Sequence, residues 1–184
     1  MGRLCNSRLC TGTRGCGQIT LENYDLITRL ITQAEPGDIN FANPVVNNFS
    51  KYINNRLDKD VEGNLDFVAH GSSKTVKIFN HGKEYEVDWR EIAKIIKVNK
   101  NYYQGKPIKL LSCYTGKNAD GFAQNLANKL NTIVYAPKTI IWARPDGSYY
   151  IADKRDALKS EYQEFEKFVP RGKKKWNVQN VIQN

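Results

Sequence analysis

The 184-residue sequence has no apolar run that approaches the roughly 20 residues of a membrane-spanning helix, so we expect no membrane span. Its first ten residues, MGRLCNSRLC, include basic side chains but lack the apolar segment of a secretory signal peptide. We therefore expect any export to depend on another part of a larger precursor. Internal repeats and low-complexity tracts are also lacking, and the content of 40% hydrophobic and 26% charged residues is typical of one globular domain.

Cysteine is scarce, and its positions are uneven. Cys5, Cys10 and Cys16 lie in the first sixteen residues, and Cys113 stands alone in an apolar part of the sequence. The first three have a C-x4-C-x5-C spacing that does not fit structural zinc, which prefers close C-x2-4-C pairs with partners at a distance. In an oxidising compartment they would leave an odd thiol. We interpret residues 1–19 as an irregular leader or linker and expect no metal site, with a metal or disulfide role as the alternative.

Positive charge exceeds negative charge, with 28 Lys and Arg against 19 Asp and Glu, which gives a net charge of +9. Such a charge permits a polyanionic partner, such as nucleic acid or an acidic membrane surface. However, the sequence has no zinc-finger spacing, no RNA-recognition signature and no interleaving of Arg with aromatic residues. We therefore expect no specific nucleic-acid partner, and we interpret residues 171–184, which include RGKKKW, as a basic tail.

Hydrophobic periodicity predicts an α/β fold. Thr20 caps an amphipathic helix, and Asn43 followed by Pro44 starts a second helix whose apolar residues extend over 45–57. Strands then alternate with helices, which favours a mostly parallel sheet flanked by helices, with β-hairpins added, in a single domain over 20–170. The later segments are the strand NLDFVAHG, the hairpin KTVKIFN and KEYEVDW, the helix WREIAKIIKVN, the strand PIKLLSC, the helix ADGFAQNLANKL, the strand NTIVYAP, the hairpin KTIIWA and SYYIA, and the helix DKRDALKSEYQEFEKFV.

Two of the predicted strands end on chemically reactive residues. Phe-Val-Ala leads into His70, and Leu-Leu-Ser leads into Cys113. Because sites in open α/β sheets lie at the carboxyl ends of the strands, parallel pairing of these two strands would bring both side chains to one edge. An imidazole there can take the proton of the thiol, as in a Cys-His dyad. Gly71 and Gly116 follow them, and both can turn the backbone away and offer N–H groups to an oxyanion.

Each residue of this pair also has an ordinary structural explanation. A free cysteine is often a small buried hydrophobe, and a histidine at a strand end often only makes a hydrogen bond. The coincidence of two such strand ends favours the catalytic interpretation. His81 is better explained as an exposed residue of a hairpin turn, which leaves His70 as the base. Of the acids considered as helpers, Asp66 and Asp88, the first shares a strand face with His70 but lies about 13 Å away by strand rise, so we expect a dyad.

The stretches FVAHGS and IKLLSCYTG resemble the two signatures of caspase-like cysteine peptidases, in which one strand ends in His-Gly and the next core strand ends in the nucleophilic cysteine. LLSCYTG with the following GFAQNLANKLNTIVYAP is similar to the branch with Ser-Ala-Cys-x-Thr-Gly-type motifs. It is also similar to C-terminal toxin domains of bacterial polymorphic toxins, such as Rhs, wall-associated and contact-dependent inhibition proteins. The resemblance covers roughly Leu65 to Tyr150 and implies a caspase-like fold and a thiol protease.

This resemblance implies a role for each residue that matches a motif. His70 would be the general base and Cys113 the nucleophile, and the N–H groups of Gly71 and Cys113 would form an oxyanion hole. The hairpin TIIWARPDGSYYI would lie beside the substrate cleft as a flap, which makes Trp142 and Arg144 cleft candidates, although Trp142 is also explained as a core residue. The cleft candidates next to the cysteine are Ser112 and Thr115.

The resemblance also implies a biological setting. The domain would be the effector or self-processing part of a bacterial toxin, secreted or delivered into a target cell, and would act in the cytosol on a protein substrate. A cognate immunity protein is implied. The dyad requires no cofactor, although related toxin peptidases are activated by inositol hexakisphosphate through a basic patch, for which Lys173–Lys175 is available.

Three other functions remain open. A Cys-His deamidase or transglutaminase would act through the same thioester. A nuclease toxin would use a histidine with Lys or Arg near a phosphate and would leave Cys113 structural. A binding module would have no activity, and its thiol would be buried and inert.

Overall fold

The computed structural model of the protein describes residues 39–45, 48–58, 63–80 and 82–172. The predicted leader, the helix predicted after Thr20, the turn residue His81 and nearly all of the predicted basic tail lie outside these ranges. The elements within them, in chain order, are β1 (Ile39–Asn40), α1 (Phe49–Asn54), β2 (Leu65–Val68), β3 (His70–Gly71), β4 (Val76–Asn80), β5 (Lys83–Val87), α2 (Trp89–Val98), β6 (Ile108–Leu111), α3 (Phe122–Leu130), β7 (Val134–Ala136), β8 (Ile140–Ala143), β9 (Tyr149–Ala152), a 3-10 turn (Lys159–Glu161) and β10 (Glu166–Phe168).

Five strands form a central sheet in the order β1-β2-β6-β7-β10. The first four run parallel to their neighbours, whereas β10 pairs antiparallel with β7. The predicted α/β class is therefore confirmed, with a mixed sheet. The two predicted hairpins are present as β4–β5 and β8–β9, and the short strand β3 pairs with β4.

The helix predicted over DKRDALKSEYQEFEKFV is wrong. This segment contains a single 3-10 turn and then β10, which pairs with the edge of β7. Leu158 in this segment is 70% exposed, whereas Phe168 lies opposite Val134 and joins the core. Pairing with an open strand edge thus overrides a helical spacing of apolar residues, because strand formation depends more on context than on local propensity.

The helix predicted to begin at Pro44 is also shorter than expected, since α1 begins at Phe49. Val45 and Leu57, which the helical pattern includes, are 82% and 91% exposed. The Asn43 side chain accepts a hydrogen bond from the Val45 N–H (2.9 Å), so these residues form an Asx turn before the helix.

Two apolar clusters lie on opposite faces of the central sheet. The helix-side core joins the sheet to α2 and α3, where Ile92 and Leu126 are buried. A capping box starts α2, because the Asp88 side chain accepts from the Arg90 N–H while the Glu91 side chain accepts from the Asp88 N–H. The hairpin-side core joins the sheet to α1 and to hairpin β8–β9. Its buried members are Ala42, Ile53, Val68, Leu111, Ile141 and Ile151.

A buried ion pair fixes the end of α1 against β2. Arg56 donates to Asp66 Oδ2 from Nε (3.1 Å) and from Nη2 (2.9 Å), and its Nη1 donates to the Ile53 carbonyl oxygen (2.8 Å). Both charged side chains are at most 3% exposed. The pair holds α1 over the hairpin-side face of the sheet, the face on which the predicted reactive residues lie.

A substitution at Gly147 tests whether the β8–β9 turn packs against the end of α1. It has φ +86°, and a Cβ there would lie 2.2 Å from the Asn55 carbonyl oxygen. We predict that Gly147→Ala lowers the free energy of unfolding by about 1–3 kcal/mol more than Gly105→Ala, measured by urea denaturation. Gly105 is the matched control, because it has φ +92° but open space around it, so its alanine carries only backbone strain, on the order of 1–2 kcal/mol. Equal losses in both variants would contradict this packing.

Candidate active site

The register of two neighbouring parallel strands positions the candidate site. In the pairing of β2 with β6, Val68 lies opposite Leu111. The Ala69 N–H donates to the Leu111 carbonyl oxygen (3.4 Å), so the pairing continues past the end of β2. His70 and Cys113 each follow the last paired residue of their strand by two positions. The prediction that these strands are parallel neighbours is confirmed.

Both side chains belong to the hairpin-side face of the sheet. Val68 and Leu111, the last residues of β2 and β6, are members of the hairpin-side core. Two contacts agree with this assignment. Cys113 packs against the hairpin-side core, and the ring of His70 lies 5.4 Å from the ring of Phe49, which packs against the same core. Both residues therefore lie near the carboxyl ends of β2 and β6, on the hairpin-side face of the sheet.

Gly71 allows the two strand ends to touch. A Cβ at this position would lie 2.5 Å from Ser112 Oγ and 2.8 Å from the Cys113 carbonyl oxygen. Ser112 Oγ donates to the Ala69 carbonyl oxygen (2.9 Å), and Thr115 Oγ1 donates to the Ser112 carbonyl oxygen (2.8 Å). Ser112 and Thr115 are fully buried, so they hold the loop around the cysteine. They do not line an open cleft, although they were predicted to do so.

The thiol of Cys113 is partly buried beneath β8. Its Sγ accepts a hydrogen bond from the Ile141 N–H (3.4 Å). Burial raises the pKa of the thiol above its ordinary value, and the N–H groups of Ile141 and of Cys113 itself only partly oppose this. The thiol is therefore protonated at neutral pH, and it needs a base to become a nucleophile.

His70 has the properties of such a base. Burial lowers the pKa of its imidazole below the ordinary value, with Glu84 acting to raise it and Lys77 to lower it further, so the ring is neutral at pH 7. Within the described part of the chain, its Nε2 is buried and has no hydrogen-bond partner. An unpartnered buried ring nitrogen is uncommon and marks a position that a ligand or reacting group can occupy. The ring borders a cavity of about 300 Å³ that polar side chains of β4 and β5 also line.

One backbone N–H that was expected to bind an oxyanion already donates a hydrogen bond within the protein. The Gly116 N–H donates to the Pro137 carbonyl oxygen (2.9 Å), so the expectation for Gly116 is wrong. A Cβ at this position would lie 2.7 Å from the Ala136 carbonyl oxygen, so glycine is needed for close approach to β7. The N–H groups of Gly71 and Cys113 stay the predicted oxyanion donors.

Trp142 and Arg144 lie on the outer face of hairpin β8–β9. Its inner face carries Ile141, which belongs to the hairpin-side core beside Cys113, and side chains alternate along a strand. Trp142 Nε1 donates to the Ala152 carbonyl oxygen (3.1 Å), and the guanidinium of Arg144 covers one ring of a stacked tyrosine pair. The structure therefore does not bring these two cleft candidates to the cysteine.

Neither acid considered as a helper joins the candidate pair, because Asp66 is bound by Arg56 and Asp88 caps α2. Among the residues that the structure describes, no three His, Cys, Asp or Glu side chains are grouped to hold a metal ion. Likewise, no helix in the described ranges has the length and apolar character needed to cross a bilayer.

Sequence reasoning missed two residues that shape the site. The ring of Phe49 contacts His70, and the only sequence signal was its place in an apolar helical pattern. The Ile141 N–H reaches the thiol from a strand 28 residues further along the chain. A backbone group has no sequence signature, so only the fold reveals this contact.

The site thus belongs to an α/β domain with a mixed sheet and a cysteine and a histidine at adjacent strand ends. Residues 37–151 match the model of a family described as a domain of unknown function (DUF8616), so the chain belongs to that family. The matched region contains both His70 and Cys113. A comparison with curated proteins gives no match.

The charge state of His70 can be measured directly. We predict that NMR titration of its ring protons gives a pKa below the ordinary 6.5, because burial disfavours the imidazolium. Because the folded-state pKa is lowered, the associated stability is present above pH 6.5 and is lost as the pH falls through the folded-state pKa. The variant His81→Gln assigns the signals, since the chain has two histidines. A pKa above 6.5 for His70 would show an imidazolium held by a negative partner instead.

Proposed function

We propose that the protein is a cysteine peptidase in which Cys113 is the nucleophile and His70 the general base. The observation that carries this proposal is the parallel pairing of β2 with β6, because His70 and Cys113 follow the carboxyl ends of these two neighbouring strands. The motif resemblance to caspase-like peptidases supports the same assignment. We also propose that the central sheet is caspase-like.

The charge states support general-base activation. His70 is neutral and its buried Nε2 has no hydrogen-bond partner among the residues that the structure describes, while the thiol is protonated. In the proposed reaction, Nε2 takes the Sγ proton as sulfur bonds to the carbonyl carbon of a peptide. The carbonyl electron pair moves to oxygen, which the N–H groups of Gly71 and Cys113 stabilise. The C–N bond then breaks, the imidazolium protonates the leaving amine, and water hydrolyses the thioester by the same steps.

The biological setting is part of the same proposal. The domain would be the effector or self-processing part of a larger bacterial toxin, act on protein in the cytosol of a target cell, and be restrained by an immunity protein. Its support is the likeness of LLSCYTG and the following helix to toxin domains. The proposed dyad contains every group that the acyl transfer needs, so no cofactor enters the mechanism.

Removal of either member of the dyad tests the proposal. Incubation of a cell lysate with the protein should create new peptide N-termini, detected by mass spectrometry. We predict that Cys113→Ala lowers this activity by about 10³-fold or more, and that His70→Ala lowers it by roughly 10²- to 10⁴-fold. The control variant, in which Cys5, Cys10 and Cys16 are replaced by serine, should retain the activity.

The same samples separate the alternative functions. A 1 Da mass increase on intact targets would identify a deamidase, and an amine adduct would identify a transglutaminase, both of which also use the thioester. Degradation of nucleic acid by a Cys113→Ser variant would identify a nuclease and would remove the cysteine from the chemistry. Full cleavage activity in Cys113→Ala would overturn the proposed peptidase.

A further inference from the structure

A cavity of about 660 Å³ lies under the turn of hairpin β8–β9, between β6 and the segment 162–165. Its size is in the range of small-ligand sites. It is on the hairpin-side face of the sheet but near the start of β6, about 13 Å from Cys113 by strand rise. Its lining includes Asp58, Lys109, Asp146, Tyr149, Glu164 and Phe165.

The positive charge in this cavity is already neutralised. Lys109, only 5% exposed, donates from Nζ to Asp58 Oδ2 (3.0 Å), and the Tyr149 hydroxyl donates to the same oxygen. The ammonium also lies 5.5 Å from the ring centroid of Tyr149 and 5.3 Å from that of Phe165. Because the Asp58 carboxylate and two aromatic rings surround the Lys109 ammonium, this ammonium is not available to bind an anion.

Asp58 has acceptor capacity that the protein does not use. Its Oδ1 is buried and, within the described ranges, receives no hydrogen bond, although Arg56 Nε lies 3.7 Å away. Burial alone would raise the pKa of Asp58, but hydrogen bonds from Tyr149 and Lys109 and the positive charge of Lys109 and Arg56 outweigh it. The pKa therefore lies below its ordinary value, and the carboxylate is charged. A buried oxygen of a charged carboxylate that receives no hydrogen bond, as Oδ1 here, gains most from a cationic N–H donor.

The side chains that line the cavity carry a net negative charge, whereas the whole chain carries a net positive charge. Its lining contains the carboxylates of Asp58, Asp146 and Glu164 against the single ammonium of Lys109, on a protein of net charge +9. Aromatic side chains form part of the wall, and rings of this kind attract cations at their faces.

We propose that this cavity binds an organic cation, namely the guanidinium or primary ammonium group of a basic ligand. The cation would donate to Asp58, and the carboxylates of Asp146 and Glu164 would hold it at the rim. The source of the group is either an Arg or Lys side chain on another protein or a free small amine. The proposal does not depend on the His70–Cys113 chemistry, because none of its residues belongs to that pair.

The first test uses two ligands of nearly the same shape. N-acetyl-arginine amide carries the cation, and N-acetyl-citrulline amide replaces the guanidinium by a neutral urea. Titrated into the full chain and followed by NMR, the arginine compound should shift the amide signals of Gly147–Tyr149 and Glu164–Phe165. Its affinity should exceed that of the citrulline compound by about tenfold, the effect of one charge-assisted hydrogen bond. Equal binding, no binding, or shifts centred on Thr75–Lys77 at the other cavity would overturn the proposal.

The second test uses a matched pair of protein variants. Glu164→Gln removes a rim carboxylate and should weaken binding of the arginine compound roughly two- to fivefold, as expected for a solvent-exposed charge pair. Glu166→Gln is the control, because Glu166 lies two residues further on, outside the cavity, where it pairs with Lys138. Both side chains are exposed, so both variants should fold, which thermal melting checks. Equal weakening by the two variants would show only a general effect of net charge and would contradict the site.

The source of the cation is identified by competition. Spermidine and a short Arg- and Lys-containing peptide are each titrated against the bound arginine compound. Displacement by the peptide at lower concentration assigns the cavity to a protein partner, and displacement by spermidine assigns it to a free amine. Failure of both to displace the arginine compound would overturn the proposal.

Discussion

The parallel pairing of β2 with β6 is the constraint on which the rest of this structure depends. Two apolar strands are buried on both faces, and their register fixes which residues leave the sheet side by side. A shift of one residue in one strand would move the side chain at its end to the other face of the sheet. The buried Arg56–Asp66 pair and the hairpin β8–β9 then cover the hairpin-side face and enclose the site.

This enclosure also sets the chemistry that the pair can perform. Burial raises the pKa of the Cys113 thiol and lowers that of the His70 imidazole, so both groups are neutral near pH 7. A thiolate-imidazolium pair would have the opposite shifts. Proton transfer is therefore coupled to attack on the substrate in our account, and the backbone N–H of Ile141 stabilises negative charge on sulfur as it develops.

Much of the scaffold was predictable from the sequence, because local pattern and tertiary environment agree there. The parallel strands that precede His70 and Cys113, and the helix over WREIAKIIKVN, are found as expected. The errors fall where tertiary contacts overrode the pattern. Phe168 was assigned to a helix, but it completes the sheet by pairing with β7.

The candidate site was less predictable than the fold. Trp142 was placed near the cleft, yet strand alternation turns it outward because Ile141 takes the inner position. Ser112 and Thr115 were expected to meet substrate, but the Ser112 hydroxyl donates to the Ala69 carbonyl oxygen after β2, and the Thr115 hydroxyl donates to the Ser112 carbonyl oxygen. Such contacts depend on how segments distant in sequence pack together, which residue types and spacing do not encode.

The central claim is that His70 acts on Cys113. The most direct measurement is the rate at which iodoacetamide alkylates Cys113 at pH 7, in protein whose three other cysteines are replaced by serine. Our account predicts that His70→Ala slows this reaction by at least about tenfold, because a protonated thiol then lacks its base. The control His81→Ala should leave the rate unchanged within about twofold. An equal rate with and without His70 would contradict the account.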